Sequence, residues 1–182
     1  PPTIDRFVSI DGGGVNITNV AVGSRRYRVT FKGPGGHSYG SFGLANPIGA
    51  LGRAVSKISQ LQVPAEPKTT FTIGRVGGGT SVNSIPYEAW MEVDMRSTSV
   101  VELASLDAEF HSAVEEAVRE ENERWGTRGT ITVVADLVGD RPAGSTPSSA
   151  PIVQTALAVG RALGIAVSFG EGSTDANLPI SL

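Results

Sequence analysis

The chain has 182 residues, 40% of them apolar and 18% charged, with a net charge of −3. This length supports one or two domains with a real core, while the slight acidity leaves no basic footprint for nucleic acid and no long apolar run offers a membrane span. No cysteine is present, so disulfide scaffolds and thiolate chemistry are excluded, and a reducing, cytoplasmic setting is expected.

In chain order, Arg6 to Ile10 reads as a short apolar strand running into Asp11-Gly12-Gly13-Gly14. From Arg25 to Lys32 the residues alternate, with Tyr27, Val29 and Phe31 on one face, as in a half-buried strand. The phrase "FKGPGGHSYGSFGLANPIGAL" then puts His37 behind two glycines, on a loop that the backbone can bend sharply to display. Asn46 and Pro47 read as the N-cap and first position of a helix, which carries Ile48, Leu51, Val55, Ile58 and Leu61 at helical spacing until Pro64. "TTFTIGRV" is a second strand by its β-branched content. Tyr87 to Arg96 is a third, with Tyr87, Ala89, Met91, Val93 and Met95 inward and a polar outer face. Ser99 and Glu102 form a capping box before a long helix that ends near Trp125-Gly126, and Thr130 to Val138 alternates again.

The order β-α-β-β-α-β is that of a ferredoxin-like sandwich, an α+β fold with a four-stranded antiparallel sheet and two helices on one face. It is expected over residues 23–139. Residues 1–22 and 140–182 make no domain alone and read as remnants of an interrupted α/β domain, joined to the sandwich by "DRPAGSTPSS" as a linker. In the second piece a cap at Ser149 with Pro151 opens a helix to Gly164, Ile165 to Phe169 is a strand, and Thr174-Asp175 reads as a helix cap.

Four residues stand out chemically. Asp11 follows a strand, where α/β sheets collect ligands and metals, though one carboxylate cannot hold zinc. His37 is displayed on its loop. Asn83 sits in the glycine-rich connection "GGGTSVNSIP", which serves equally as a hairpin or as an anion cradle. Arg96, in "DMRS", is the side chain best suited to grip a carboxylate bidentately. His111, within the long helix, reads as structural or solvated, and Glu115-Glu116 and Glu120-Glu121 as that helix's wet face.

Taken in register, "VSIDGGG", "FKGPGGHS", "GGGTSVNSIP", "DMRS" and "GSTDANLPISL" resemble the aminoacylase and peptidase T family of two-zinc amide hydrolases. The resemblance covers nearly the whole chain. It implies a catalytic α/β domain interrupted by a sandwich lid, with the lids of two subunits pairing into a homodimer. It further implies that Asp11 is a metal-binding carboxylate, that His37 reaches the partner's active site to steady an oxyanion, and that Asn83 and Arg96 hold the substrate and its carboxylate. The phrase Gly172 to Asp175 would form a substrate-side wall. Substrates would be small peptides or N-acyl amino acids, with zinc as cofactor. The family's His-x-Asp and late histidine are not in this sequence, and the Glu-Glu pairs present lie on the wrong element, so the chain is expected to be a lid-bearing fragment that is inactive by itself. The other reading is a stand-alone ferredoxin-like regulatory or ligand-binding module.

Overall fold

The structure is a computed structural model that describes residues 5–12, 14–126 and 128–182. The first four residues of the 1–22 piece and Gly13 of the Asp11 phrase lie outside these.

Strands β2 (Gly23–Lys32), β4 (Thr69–Gly78), β6 (Glu88–Ser97) and β7 (Thr132–Arg141) form an antiparallel sheet in the order β4-β6-β2-β7. Helices α1 (Pro47–Ile58) and α2 (Val100–Trp125) cover one face, which gives the expected sandwich. Alternation produces this sheet directly: Tyr27, Val29 and Phe31 of β2 and Ala89, Met91, Val93 and Met95 of β6 all point into the core, against Ala50, Ala54 and Ile58 of α1 and Leu106, Phe110 and Ala117 of α2. Asn46 caps α1, its Oδ1 accepting from Ile48 N–H at 2.9 Å, with Pro47 at the first turn. Ser99 caps α2 through Glu102 N–H. The reciprocal half of the box is replaced, since Ser99 N–H donates to Ser97 Oγ. Of the two readings for His111, the structural one holds, its ring edge-on to Tyr27 and Phe110 at 5.0 Å.

The flanking pieces make a second, smaller sheet. Strand β1 (Asn16–Ala21) lies between β8 (Gly144–Ser145), antiparallel, and β9 (Ser168–Gly172), parallel. Helices α3 (Pro151–Ala162) and α4 (Asn177–Ser181) accompany it. Several expectations are corrected here. Residues 6–10 form no strand; the strand is β1, whose Ile17, Thr18 and Val20 supply the β-branched character. The expected linker 140–149 is half structured, because Asp140 and Arg141 finish β7 and Gly144–Ser145 pair with β1. Ser149 does not cap α3: Ala150 precedes Pro151 with no side-chain cap, and Pro151 alone sets the start. The late strand lies at Ser168–Gly172, later than expected. Thr174 does organise the approach to α4, its Oγ1 accepting from Ala176 N–H, but Ala176 occupies the cap position. No helix among the described residues is long and apolar enough to cross a membrane.

The chain passes between the two sheets twice, at Val22–Gly23 and at Arg141–Ala143, and these crossings touch. A Cβ at Gly23 would sit 2.7 Å from the Ala143 backbone nitrogen, inside van der Waals contact. Gly23→Ala is therefore expected to destabilise the protein by about 1–3 kcal/mol through overpacking, read as a lower midpoint in urea unfolding; an unchanged midpoint would show that the crossings can separate freely.

Candidate functional site

His37 is delivered by a tight turn and a short ladder. Gly35 has φ of +66°, and a side chain there would run into the Tyr87 ring, so the turn requires glycine. Strand β3 (Gly36–His37) then pairs with β5 (Ser84–Ile85), setting His37 opposite Ser84. Ser38 N–H donates to the Asn83 carbonyl at 2.9 Å. Sequence-distant His37 and Asn83 thus share one tip.

The imidazole is oriented by its own loop. Its Nδ1 accepts from the backbone N–H groups of Tyr39 (3.3 Å) and Gly40 (3.4 Å). A ring nitrogen that accepts carries no proton, so the neutral ring holds its proton on Nε2. Among the described residues Nε2 has no protein partner. Asn83 Oδ1 accepts from Ser81 Oγ, and its exposed amide nitrogen, without a protein partner among the described residues, remains as a second donor. Around these donors stand Tyr39, Val82 and Tyr87, all largely exposed, so the tip is two polar donors in an apolar rim.

Arg96 is elsewhere. His37 and Asn83 lie beyond the Glu88 end of β6, where Gly33 N–H meets the Tyr87 carbonyl, whereas Arg96 lies at the Ser97 end. The eight residue steps from Glu88 to Arg96 span about 27 Å of extended strand. Within one chain the imidazole and the guanidinium therefore stand at opposite ends of the sheet. Arg96 lines a cleft of about 400 Å³ where the two sheets meet, with Lys68 and Thr70 on the sandwich side and Glu171, Gly172 and Ser173 across from it. The expected substrate-side wall at Gly172 and Ser173 therefore does adjoin Arg96.

Arg96 is held from behind. Its Nε donates to Asp94 Oδ2 at 2.6 Å, and Arg26 Nε donates to Asp94 Oδ1 at 2.7 Å. Burial pushes the Asp94 carboxyl up, but the hydrogen bonds from Arg96 and Arg26 and their charges outweigh it and hold its pKa below the ordinary value. Asp94 is thus ionised throughout the neutral range and fixes Arg96 through Nε. The terminal nitrogens of Arg96, unpartnered among the described residues, remain a fork for a carboxylate.

Asp11 finds no such company. It is exposed, on a segment without regular structure, and among the described residues no three His, Asp or Glu side chains are grouped to hold a metal. Zinc needs three or four ligands, so the residues present do not fit a zinc centre.

Residues 21–122 match the family model described as the peptidase dimerisation domain. The chain belongs to that family. This agrees with its motif resemblance to the aminoacylase and peptidase T hydrolases. No curated protein matches in sequence. Among solved structures, the dimerisation domain and its flank are similar to aminopeptidase PepT from Bacillus cereus (TM-score 0.71, 19% identity, 94% of this chain and 44% of that one). They are also similar to an aminobenzoyl-glutamate utilization protein from Klebsiella pneumoniae (TM-score 0.74, 19% identity, 92% and 44%). A hydantoinase/carbamoylase-family amidase from Burkholderia vietnamiensis is a third (TM-score 0.70, 18% identity, 87% and 37%). The chain spans less than half the length of each, and at these identities the likeness is one of fold.

Two residues that matter here were missed by sequence reasoning. Glu121, assigned to the wet face of α2, is buried at 3% exposure and accepts from Asn46 N–H, Arg53 Nε and Trp125 Nε1. Its signal was Trp125 four residues on, a donor on the same helical face. Asn177, buried at 2%, ties together segments that only the tertiary fold brings near.

Proposed function

We propose that this chain supplies the lid of an amide hydrolase acting on small peptides or N-acyl amino acids, and that it pairs with a second copy. His37 and Asn83 enter the partner subunit's cleft, while Arg96 serves the cleft beside its own flank. The observation that carries this reading is the arrangement of the tip: a ladder brings His37 and Asn83 together, and the loop's own amides fix the imidazole with its Nε2 proton outward. A donor held ready for a developing oxyanion stabilises that charge strongly in a dry cleft and weakly in water. The apolar rim supports burial of the tip against a partner. The span between the tip and Arg96 supports their division between two sites.

In this reading Arg96, fixed by Asp94, orients a substrate carboxylate so that the scissile amide is presented at a constant distance. His37 and Asn83 donate to the amide oxygen as it gains charge. Zinc is the metal that the family resemblance implies; Asp11 would supply one carboxylate to it, and the remaining ligands are not among the described residues.

Mixed dimers test the division of labour. In the intact enzyme, His37→Ala and Arg96→Ala subunits are each expected to be impaired as homodimers. Mixing and reassociating them creates heterodimers in which one of the two sites has both residues, because a two-fold dimer exchanges the same patches between subunits. Activity should recover to about a quarter of wild type from statistical pairing in a symmetric dimer. No recovery would mean that both residues come from one chain to one site. The monomeric module reading predicts no reassociation at all.

A further inference from the structure

The two crossings between the sandwich and the flank are bound together by one side chain. Asn177, the first residue of α4, donates through Nδ2 to the Val22 carbonyl at 2.8 Å and to the Pro142 carbonyl at 3.0 Å. Its Oδ1 accepts from Thr174 N–H at 2.8 Å. Both amide hydrogens are therefore used, and the group is 2% exposed. Val22 belongs to the first crossing and Pro142 to the second, while Thr174 follows the wall of the Arg96 cleft. Beside them Val22 N–H donates to the Gly172 carbonyl at 2.8 Å, and Val22 and Gly172 themselves line that cleft. The only other side-chain link at this neck among the described residues is the exposed Arg141–Asp175 ion pair at 3.7 Å, of a kind that contributes little.

We propose that Asn177 is a positioning residue that locks the neck, fixing the angle between the sandwich and the flank and hence the distance across the cleft from Arg96 to Gly172 and Ser173. Among the described residues no other side-chain amide bridges the two crossings, and the two carbonyls it satisfies belong one to each crossing, so removing it frees the crossings from one another. Neither sheet's own ladder uses it. The lock is a property of this chain's geometry; only its consequence for substrate rests on the proposed function.

The absence of cysteine makes the test direct. Ala104→Cys on α2 and Ala158→Cys on α3, both at exposed positions, take nitroxide labels. Pulsed electron paramagnetic resonance then measures their separation, with excess unlabelled chain removing intersubunit signals. The expected result is one narrow distance peak for the wild-type neck and its loss, by broadening or splitting, in Asn177→Leu and Asn177→Asp. Asp175→Asn, which removes the ion pair, keeps the narrow peak. Amide exchange of α2 and of the β1–β9 ladder should stay protected in all three. An unchanged peak in both Asn177 variants overturns the proposal, as does loss of protection in α2 together with the peak, which would make Asn177 a general folding residue. None of these readouts uses catalysis, so a failure of the hydrolase reading leaves this result standing, and the converse.

Discussion

His37→Ala in the intact enzyme is expected to lower kcat by on the order of 10²-fold or more, the loss seen when one oxyanion donor is removed, with KM little changed. Alanine also removes the acceptor for Tyr39 and Gly40 N–H, so two further variants separate loop order from catalysis. In His37→Asn the carboxamide oxygen sits near the place of Nδ1 and keeps the turn but offers no group at Nε2. In His37→Gln the amide nitrogen reaches the position of Nε2 and keeps a donor while the turn loses its acceptor. If the donor matters, Asn falls as far as alanine and Gln recovers part of the rate. If the imidazole serves only to order the loop, the ranking reverses. An unchanged kcat in all three removes the role.

The sandwich was legible because its information is local. Alternation in β2 and β6 and the caps Asn46 and Ser99 each speak within a few residues, and the core follows from them. The tip was half legible: glycines before His37 and around Asn83 announced displayed loops, but the β3–β5 pairing that joins them is two residues long and leaves no periodicity. The flank was the least legible. β1 draws its partners from residues 144–145 and 168–172, more than a hundred positions away, and short strands paired at that range carry weak individual signals. The apolar run at residues 6–10 looked more strand-like than it is because hydropathy does not encode a partner. Arg96 stood out in the sequence as a side chain suited to grip a carboxylate, yet its separation from His37 depends on strand direction and register, which only the sheet order β4-β6-β2-β7 supplies.

The root of the His37 loop offers the second large effect. Glu121 is expected to be the costliest single charge to remove from this chain. Its carboxylate, 3% exposed, takes the Asn46 backbone N–H at 3.1 Å, the Arg53 Nε at 3.1 Å and the Trp125 Nε1 at 2.8 Å. Glu121→Ala leaves a half-buried indole and a backbone donor unpaired and a guanidinium with only Glu120 at 3.4 Å. Breaking a buried pair from one side costs about 3–5 kcal/mol, a large share of the roughly 5–15 kcal/mol by which a domain is stable. Glu121→Gln keeps the shape and an acceptor oxygen for two of the three donors but not the charge, so its loss should fall well short of that. Urea unfolding of both variants gives the ordering, and a cost below about 1 kcal/mol for alanine, the worth of one ordinary hydrogen bond, would show that water replaces the carboxylate. Position also matters. Asn46 is the cap of α1 and the end of the segment that begins at His37, while Phe42 packs edge-on against Trp125 and its carbonyl accepts from Arg128. The same carboxylate therefore holds the indole that supports the loop and the amide where the loop enters the helix. Amide exchange at Asn46 should quicken in Glu121→Ala before the centre of β6 does. The imbalance would mark the His37 loop as the first part of the lid to loosen, since its anchorage depends on one buried charge rather than on the sheet.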